Sequence, residues 1–236
     1  GANYMETLSK IDTVVFDKTG TITKGSPEVT EILSLNGMDE TALLHLVASA
    51  EAMSDHPVAK AVVAHAKSVF GDFAPDPAAD FEAVAGRGVK CSVNGKALIC
   101  GSRRFLADNG VDAASLPEGT GTEVCAAYDG VLAGLLRVAD VIKPEAREVV
   151  EKLKASGRQV WLVTGDNEQT ARDIAAEAGI ENVKASVLPT EKADIIARLK
   201  SEGRTICMVG DGVNDTPALA GADCSNRRAS SCRRAI

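Results

Sequence analysis

Three short apolar, largely β-branched runs each end on a polar loop. Thr13-Val14-Val15-Phe16 leads into Asp17-Lys18-Thr19-Gly20-Thr21, Gln159-Val160-Trp161-Leu162-Val163 into Thr164-Gly165-Asp166, and Thr205-Ile206-Cys207-Met208-Val209 into Gly210-Asp211-Gly212. Short apolar runs bounded by turn residues read as buried strands. Between them lie stretches of helical period: Lys143 to Ser156 with Pro144 in the first turn, Asn167 to Ala178 closed by Gly179, and Glu191 to Ser201 closed by Gly203. This alternation predicts an α/β fold with a doubly wound parallel sheet. Ligands of such sheets bind beyond the carboxyl ends of the strands, so the three loops are expected to converge on one site.

From Pro27 to Leu135 the rhythm changes. Helices are expected near Glu40 to Ser54 and Val58 to Val69, followed by a loop with Pro75 and Pro77. The Asn94-Gly95 pair between two β-like runs signals a hairpin with a tight primed turn. An α+β segment thus interrupts the parallel sheet after its first strand. The expected domains are residues 1–26 with 136–224, and residues 27–135 as the insertion. Residues 225–236, rich in Ser and Arg, read as a disordered or foreign tail, which would leave the sheet a strand short.

Composition narrows the function classes. With 236 residues and 45% hydrophobic content the chain can bury a real core. Its net charge of −7, with no basic run before Arg227, argues against nucleic acid as a partner. No apolar stretch approaches the roughly 18–20 residues a membrane helix needs, and the start lacks a signal-peptide layout, so no membrane insertion is expected of this chain. The six cysteines form no C-x-x-C pair, and four fall in or beside β-like runs, as buried thiols do. His45 and His65 lie on helical patterns without partners at metal spacing and are given no functional role.

The loops carry a consistent chemistry. Asp17, ending a buried strand, can act as a nucleophile toward phosphorus and form an aspartyl phosphate. Asp211 and Asp215 offer the hard oxygens that Mg²⁺ prefers. Thr164 can donate its hydroxyl and backbone N–H to phosphate oxygens, and Lys192 can neutralise charge on a transferring group.

Together, Asp17-Lys18-Thr19-Gly20-Thr21-Ile22-Thr23, Thr164-Gly165-Asp166-Asn167 and Gly210-Asp211-Gly212-Val213-Asn214-Asp215 resemble the three signature blocks of P-type ATPases, in order and across nearly the whole chain. That family belongs to the haloacid-dehalogenase-like superfamily. The resemblance implies a phosphorylation domain with an inserted nucleotide-binding domain. It implies phosphorylation of Asp17 by ATP, with Mg²⁺ held by Asp17, the Thr19 carbonyl and Asp211. It also implies catalytic roles for Lys18, Thr19, Thr164, Lys192 and Asp215, and nucleotide contacts from Gly165, Asp166 and Asn214.

In the insertion, Glu51 and His56-Pro57 resemble the signature of the heavy-metal-transporting class, and Gly86-Arg87-Gly88 its glycine pair. By resemblance, Glu51 and His56 would position the adenine ring while Gly86, Gly88 and Gly101 line the path of the phosphates. Where relatives often carry Gly-Asn, this chain has Gly101-Ser102. The expectation is the cytoplasmic ATP-binding and phosphorylation unit of a copper, or zinc and cadmium, pump. Its partners would be the pump's membrane helices and actuator domain. Two rivals are a free-standing phosphatase of the superfamily and a nucleotide-binding module without chemistry. Phosphatases of that kind usually carry a second Asp two residues after the nucleophile as general acid and base; here that position is Thr19.

Overall fold

The computed structural model describes residues 9–210 and 216–226. In chain order the elements are β1 (Thr13–Asp17), β2 (Thr23–Ser34), α1 (Glu40–Glu51), α2 (Pro57–Phe70), β3 (Ala78–Val84), β4 (Gly88–Val93), β5 (Lys96–Gly101), α3 (Arg103–Asp108), β6 (Thr122–Tyr128) and β7 (Val131–Ile142). They continue as α4 (Ala146–Ala155), β8 (Gln159–Val163), α5 (Glu168–Ala178), β9 (Asn182–Lys184), α6 (Pro189–Ser201), β10 (Ile206–Val209), α7 (Thr216–Gly221) and β11 (Cys224–Asn226). Two compact units form, Gly1–Ser26 with Val141–Ile236, and Pro27–Asp140. The chain returns to the first unit at Val141 rather than at residue 136, because β7 runs unbroken to Ile142.

The first unit is a parallel sheet in the order β11-β10-β1-β8-β9. Alternate β1 residues feed opposite faces, as strand geometry requires. Val14 and Phe16 pack with Val150, Leu153, Ala175 and Ala178 of α4 and α5, while Val15 packs with Ile196 and Leu199 of α6. Helices therefore cover both faces, which is why the strands read as continuous apolar runs. The helix ends follow the sequence signals. Asn167 caps α5 by accepting the Thr170 N–H at 2.9 Å, and Gly179 ends it in the left-handed conformation at φ 76°. The sheet is not a strand short: Cys224–Asn226 pairs in parallel with β10, so Ser225 and Asn226 belong to the fold. The remainder of the expected tail, 227–236, lies outside the described residues.

The second unit is a sheet in the order β2-β7-β6-β5-β4-β3, antiparallel along β3 to β7. The Asn94-Gly95 hairpin forms as expected, with φ 53° and 74° at its two central residues. Along β6, Val124 and Ala126 face the core shared with α1 and α2, while Cys125 and Ala127 face a second core with Leu106, Val111 and Leu116. Arg103 secures the segment beneath that second core. Its guanidinium donates to the carbonyls of Leu116 and Pro117 at 2.8 Å and to Glu123 at 2.7 and 2.9 Å.

Candidate active site

In the first unit the register lines up the strand ends. Phe16 sits opposite Leu162 and Val209, and Asp17 opposite Val163, so the loops beginning at Asp17, Thr164 and Gly210 leave the same edge of the sheet. Asp17 is only 6% exposed and Lys192 only 7%. The Lys192 ammonium lies 2.7 Å from Asp17 Oδ1. Two opposite charges this deeply buried compensate one another in a charge-assisted hydrogen bond, and neither could be held there cheaply alone. Lys192 reaches this position because α6 starts with Pro189 in its first turn. Glu191 Oε2 accepts the Leu188 N–H at 2.8 Å, which leaves the next residue, Lys192, on the buried side.

A second ion pair, Lys18 Nζ to Asp166 Oδ2 at 2.7 Å, joins the first loop to the second. Thr164 is buried, and its expected role needs correction. Its backbone N–H is already donated to the Lys184 carbonyl at 3.0 Å, because pairing of β8 with β9 continues one residue past the strand. The hydroxyl accepts the Asp166 N–H at 3.1 Å and keeps its own proton to donate. The hydroxyl, not the amide, is thus the group Thr164 can offer a phosphate. Gly165 is exposed beside it. Thr19 is exposed too, at φ −69° and ψ 126°, and Gly20 takes the left-handed conformation at φ 73° that lets the loop turn. Asp211, Asn214 and Asp215 lie outside the described residues.

In the second unit Glu51, the last residue of α1, is 7% exposed. Burial pushes its carboxyl up to about 7. His56 is exposed and caps α2, its Nδ1 accepting the Val58 N–H at 3.3 Å, so the proton of the neutral ring rests on Nε2. The three glycines differ in kind. Gly88 and Gly101 are cross-strand partners. A Cβ on Gly88 would come within 2.1 Å of the Cys100 carbonyl oxygen, and one on Gly101 within 2.3 Å of the Arg87 carbonyl oxygen. Both therefore have a packing reason of their own. Gly86, at φ 69°, meets nothing within 4 Å and faces open space. Gly101→Ala is expected to destabilise by about 3 kcal/mol, as overpacking against fixed backbone does, and Gly86→Ala by only about 1 kcal/mol for the left-handed backbone. Chemical denaturation of the two variants would order them. Ser102 caps α3, its Oγ accepting the Phe105 N–H at 3.2 Å, so it has a structural task where relatives often carry Asn.

The sequence reading assigned Lys143 no role beyond opening a helix. In the structure its Nζ donates to the Gly20 carbonyl at 2.7 Å and its N–H to the Ile22 carbonyl at 2.9 Å.

Residues 11–223 match the haloacid dehalogenase-like hydrolase family. Over 94% of its length the chain is 42% identical to the copper-transporting ATPase RAN1 of Arabidopsis thaliana, of which it covers 25%. It is also 42% identical, over 94% of its length, to the copper-exporting P-type ATPase of Bacillus subtilis, of which it covers 28%. The chain thus spans about a quarter of the length of these curated relatives. Among solved structures it resembles a zinc-transporting PIB-type ATPase in the E2.Pi state at 30% identity and a TM-score of 0.82, over 95% of this chain and 37% of that one. It also resembles the catalytic domain of the CPx-ATPase CopB-B, solved in a study of its changes on nucleotide binding, at 30% identity and a TM-score of 0.57, covering 84% of that chain.

Proposed function

Because this chain belongs to the haloacid dehalogenase-like hydrolases and shares its fold with heavy-metal P-type ATPases, we propose that it is the ATP-binding and phosphorylation unit of a heavy-metal-translocating P-type ATPase, phosphorylated at Asp17. The observation that carries the reading is the buried Asp17 carboxylate at a strand end with the Lys192 ammonium 2.7 Å away. An Asp17 oxygen attacks the γ-phosphorus of ATP, the bond to the bridging oxygen breaks, and ADP leaves with that electron pair. Lys192 offsets the negative charge that accumulates on the oxygens in flight, and the Thr164 hydroxyl donates to one of them.

The donor set suits a hard divalent cation: the Asp17 carboxylate, the Thr19 carbonyl, and Asp211 from the third loop. Mg²⁺ bound there would neutralise phosphate charge. In the second unit, Glu51 is the acceptor for an adenine amine, His56 follows it across the short link between α1 and α2 as a ring to orient the base, and Gly86 leaves backbone open to phosphates. The rest of the parent protein would supply membrane helices and an actuator domain, with this unit on the cytoplasmic side. The cargo is a heavy metal, copper ahead of zinc or cadmium, a choice supported by the copper-transporting relatives at 42% identity. Thr19 at the position of a phosphatase's general base disfavours rapid loss of the phosphoryl group, as a pump needs and a phosphatase does not.

Incubation with γ-labelled ATP tests the reading. Wild-type protein is expected to take up an acid-stable label and Asp17→Asn to take up none; equal labelling of the two would overturn it. Binding of ATP without any label on wild type would favour the rival nucleotide-binding module.

A further inference from the structure

In the loop from Asp17 to Thr23 three carbonyls, those of Lys18, Gly20 and Ile22, are held by hydrogen bonds. The Lys18 carbonyl accepts both the backbone N–H of Thr23 and its hydroxyl, the latter at 3.0 Å. The Ile22 carbonyl accepts the Lys143 N–H at 2.9 Å, and the Gly20 carbonyl accepts the Lys143 ammonium at 2.7 Å. Gly25 closes over the turn, since a Cβ there would lie 3.0 Å from Gly20 Cα. Peptide planes are rigid, so anchoring the carbonyls of Lys18 and Gly20 fixes the planes on either side of the Thr19–Gly20 peptide. The orientation left to the Thr19 carbonyl is then set by Thr19 at ψ 126° and Gly20 at φ 73°.

Thr23 and Gly25 act from the same stretch of chain as the loop. Lys143 acts from 123 residues away, through the half-buried side chain with which the chain re-enters this unit after the insertion. It also borders a small, mainly apolar hollow of about 50 Å³ whose walls include Phe16, Ile22, Val149 and Val209 along with Thr21 and Glu145. Apolar surroundings strengthen an ammonium–carbonyl bond relative to water. A charge-assisted donor, rather than a backbone amide, thus holds the loop carbonyl that follows the proposed cation ligand.

We propose that Lys143 is a positioning residue for cation binding in the phosphorylation loop: by holding the Gly20 carbonyl it presents the Thr19 carbonyl in the orientation a divalent cation requires. This rests on the reading of Asp17 as the phosphorylated residue. Groups that orient a metal's direct ligands typically change its affinity by about 10–100-fold.

The test uses the whole chain and no turnover. Beryllofluoride is added as a phosphoryl mimic, and its Mg²⁺-dependent adduct on Asp17 is followed by ¹⁹F NMR during a Mg²⁺ titration, with Asp17→Asn as the blank. Lys143→Met is expected to raise the half-saturating Mg²⁺ about tenfold while circular dichroism stays native. Lys143→Arg, which keeps a charged donor, recovers most of that loss. If Lys143→Met does not fold, Lys143→Gln is titrated with the same expectation. Half-saturation within about twofold of wild type in a folded variant overturns the proposal, because a residue that only stabilised the fold would leave it unmoved. A wild-type signal indistinguishable from that of Asp17→Asn fells the phosphorylation reading itself, and this inference with it.

Discussion

Lys192→Met is expected to slow labelling of Asp17 by about 10²–10³-fold, the scale on which removal of one preorganised charge or donor acts at a reacting centre. The substitution keeps the length and apolar stem of the side chain and deletes only the ammonium now 2.7 Å from Asp17 Oδ1. Two consequences separate. The chemical one is that charge developing on the transferring group loses its compensating cation. The structural one is that the buried Asp17 carboxylate loses its 2.7 Å counter-charge, a change of about 3 kcal/mol when a buried pair is broken from one side. Pairing the substitution with Asp17→Asn removes the carboxylate's charge as well, so the double variant should recover much of the stability lost in Lys192→Met. Non-additivity of that kind is what a direct buried pair produces. Lys192→Arg should label at an intermediate rate, since a planar guanidinium carries the charge but not the point geometry. Rapid-quench labelling reports the first effect and urea denaturation the second. A Lys192→Met protein that labels at the wild-type rate removes Lys192 from the site.

Much of the first unit was legible because its signals are local. Runs such as Val14-Val15-Phe16 must be buried on both faces, Asn167 and Gly179 mark the two ends of one helix, and a polar loop after each strand points to a single edge. Asp17 and Lys192 could be named from residue type and the order of the blocks, although their meeting across 175 residues is visible only in three dimensions. Several features were not legible, each for a physical reason. Thr164's amide was expected to be available, yet strand pairing one residue beyond β8 had already engaged it with Lys184. The short strand Cys224–Asn226 was missed because polar residues fill it and only its pairing with β10 makes it a strand. Gly88 and Gly101 read as openings for phosphate, but their cross-strand register gives each a packing reason that sequence spacing does not reveal. His45 was left without a role, and it packs edge-on against the stacked pair Phe70 and Phe73 at centroid distances of 5.6 and 5.3 Å, with its Nδ1 3.6 Å from Asp76. The Lys143 tether follows from no motif, since a lone lysine carries no periodic signal.

Glu51 is expected to make the second unit less stable and a better adenine binder over the same pH interval. The carboxyl is buried, burial alone raises its pKa from 4.5 to about 7, and the neighbouring Cys91 and Cys100 thiols are themselves raised, first by burial and then by the charge of Glu51. In the unfolded chain the group ionises near its ordinary value, so the unfolded state loses its proton first. Stability is therefore highest below about pH 4.5, falls as pH rises from there to about 7, and levels off above, a total change on the order of 3 kcal/mol. Glu51→Gln keeps the shape without the charge. It should stabilise the protein at pH 8 by an amount of that order, with almost no effect below about pH 4, and it should flatten this part of the pH profile. A buried acid that costs stability at neutral pH is the mark of a group kept for a ligand. The adenine amine donates a hydrogen bond, and an ionised carboxylate accepts it more strongly than a protonated one. Wild-type affinity for an adenine nucleotide should accordingly rise between pH 6 and 8, while Glu51→Gln binds more weakly at pH 8 and shows no such rise. Isothermal titration with a nonhydrolysable ATP analogue at three pH values measures both. If Glu51→Gln gains stability at pH 8 yet binds the analogue as wild type does at every pH, the buried acid is a packing feature and the adenine contact must be sought elsewhere in the unit.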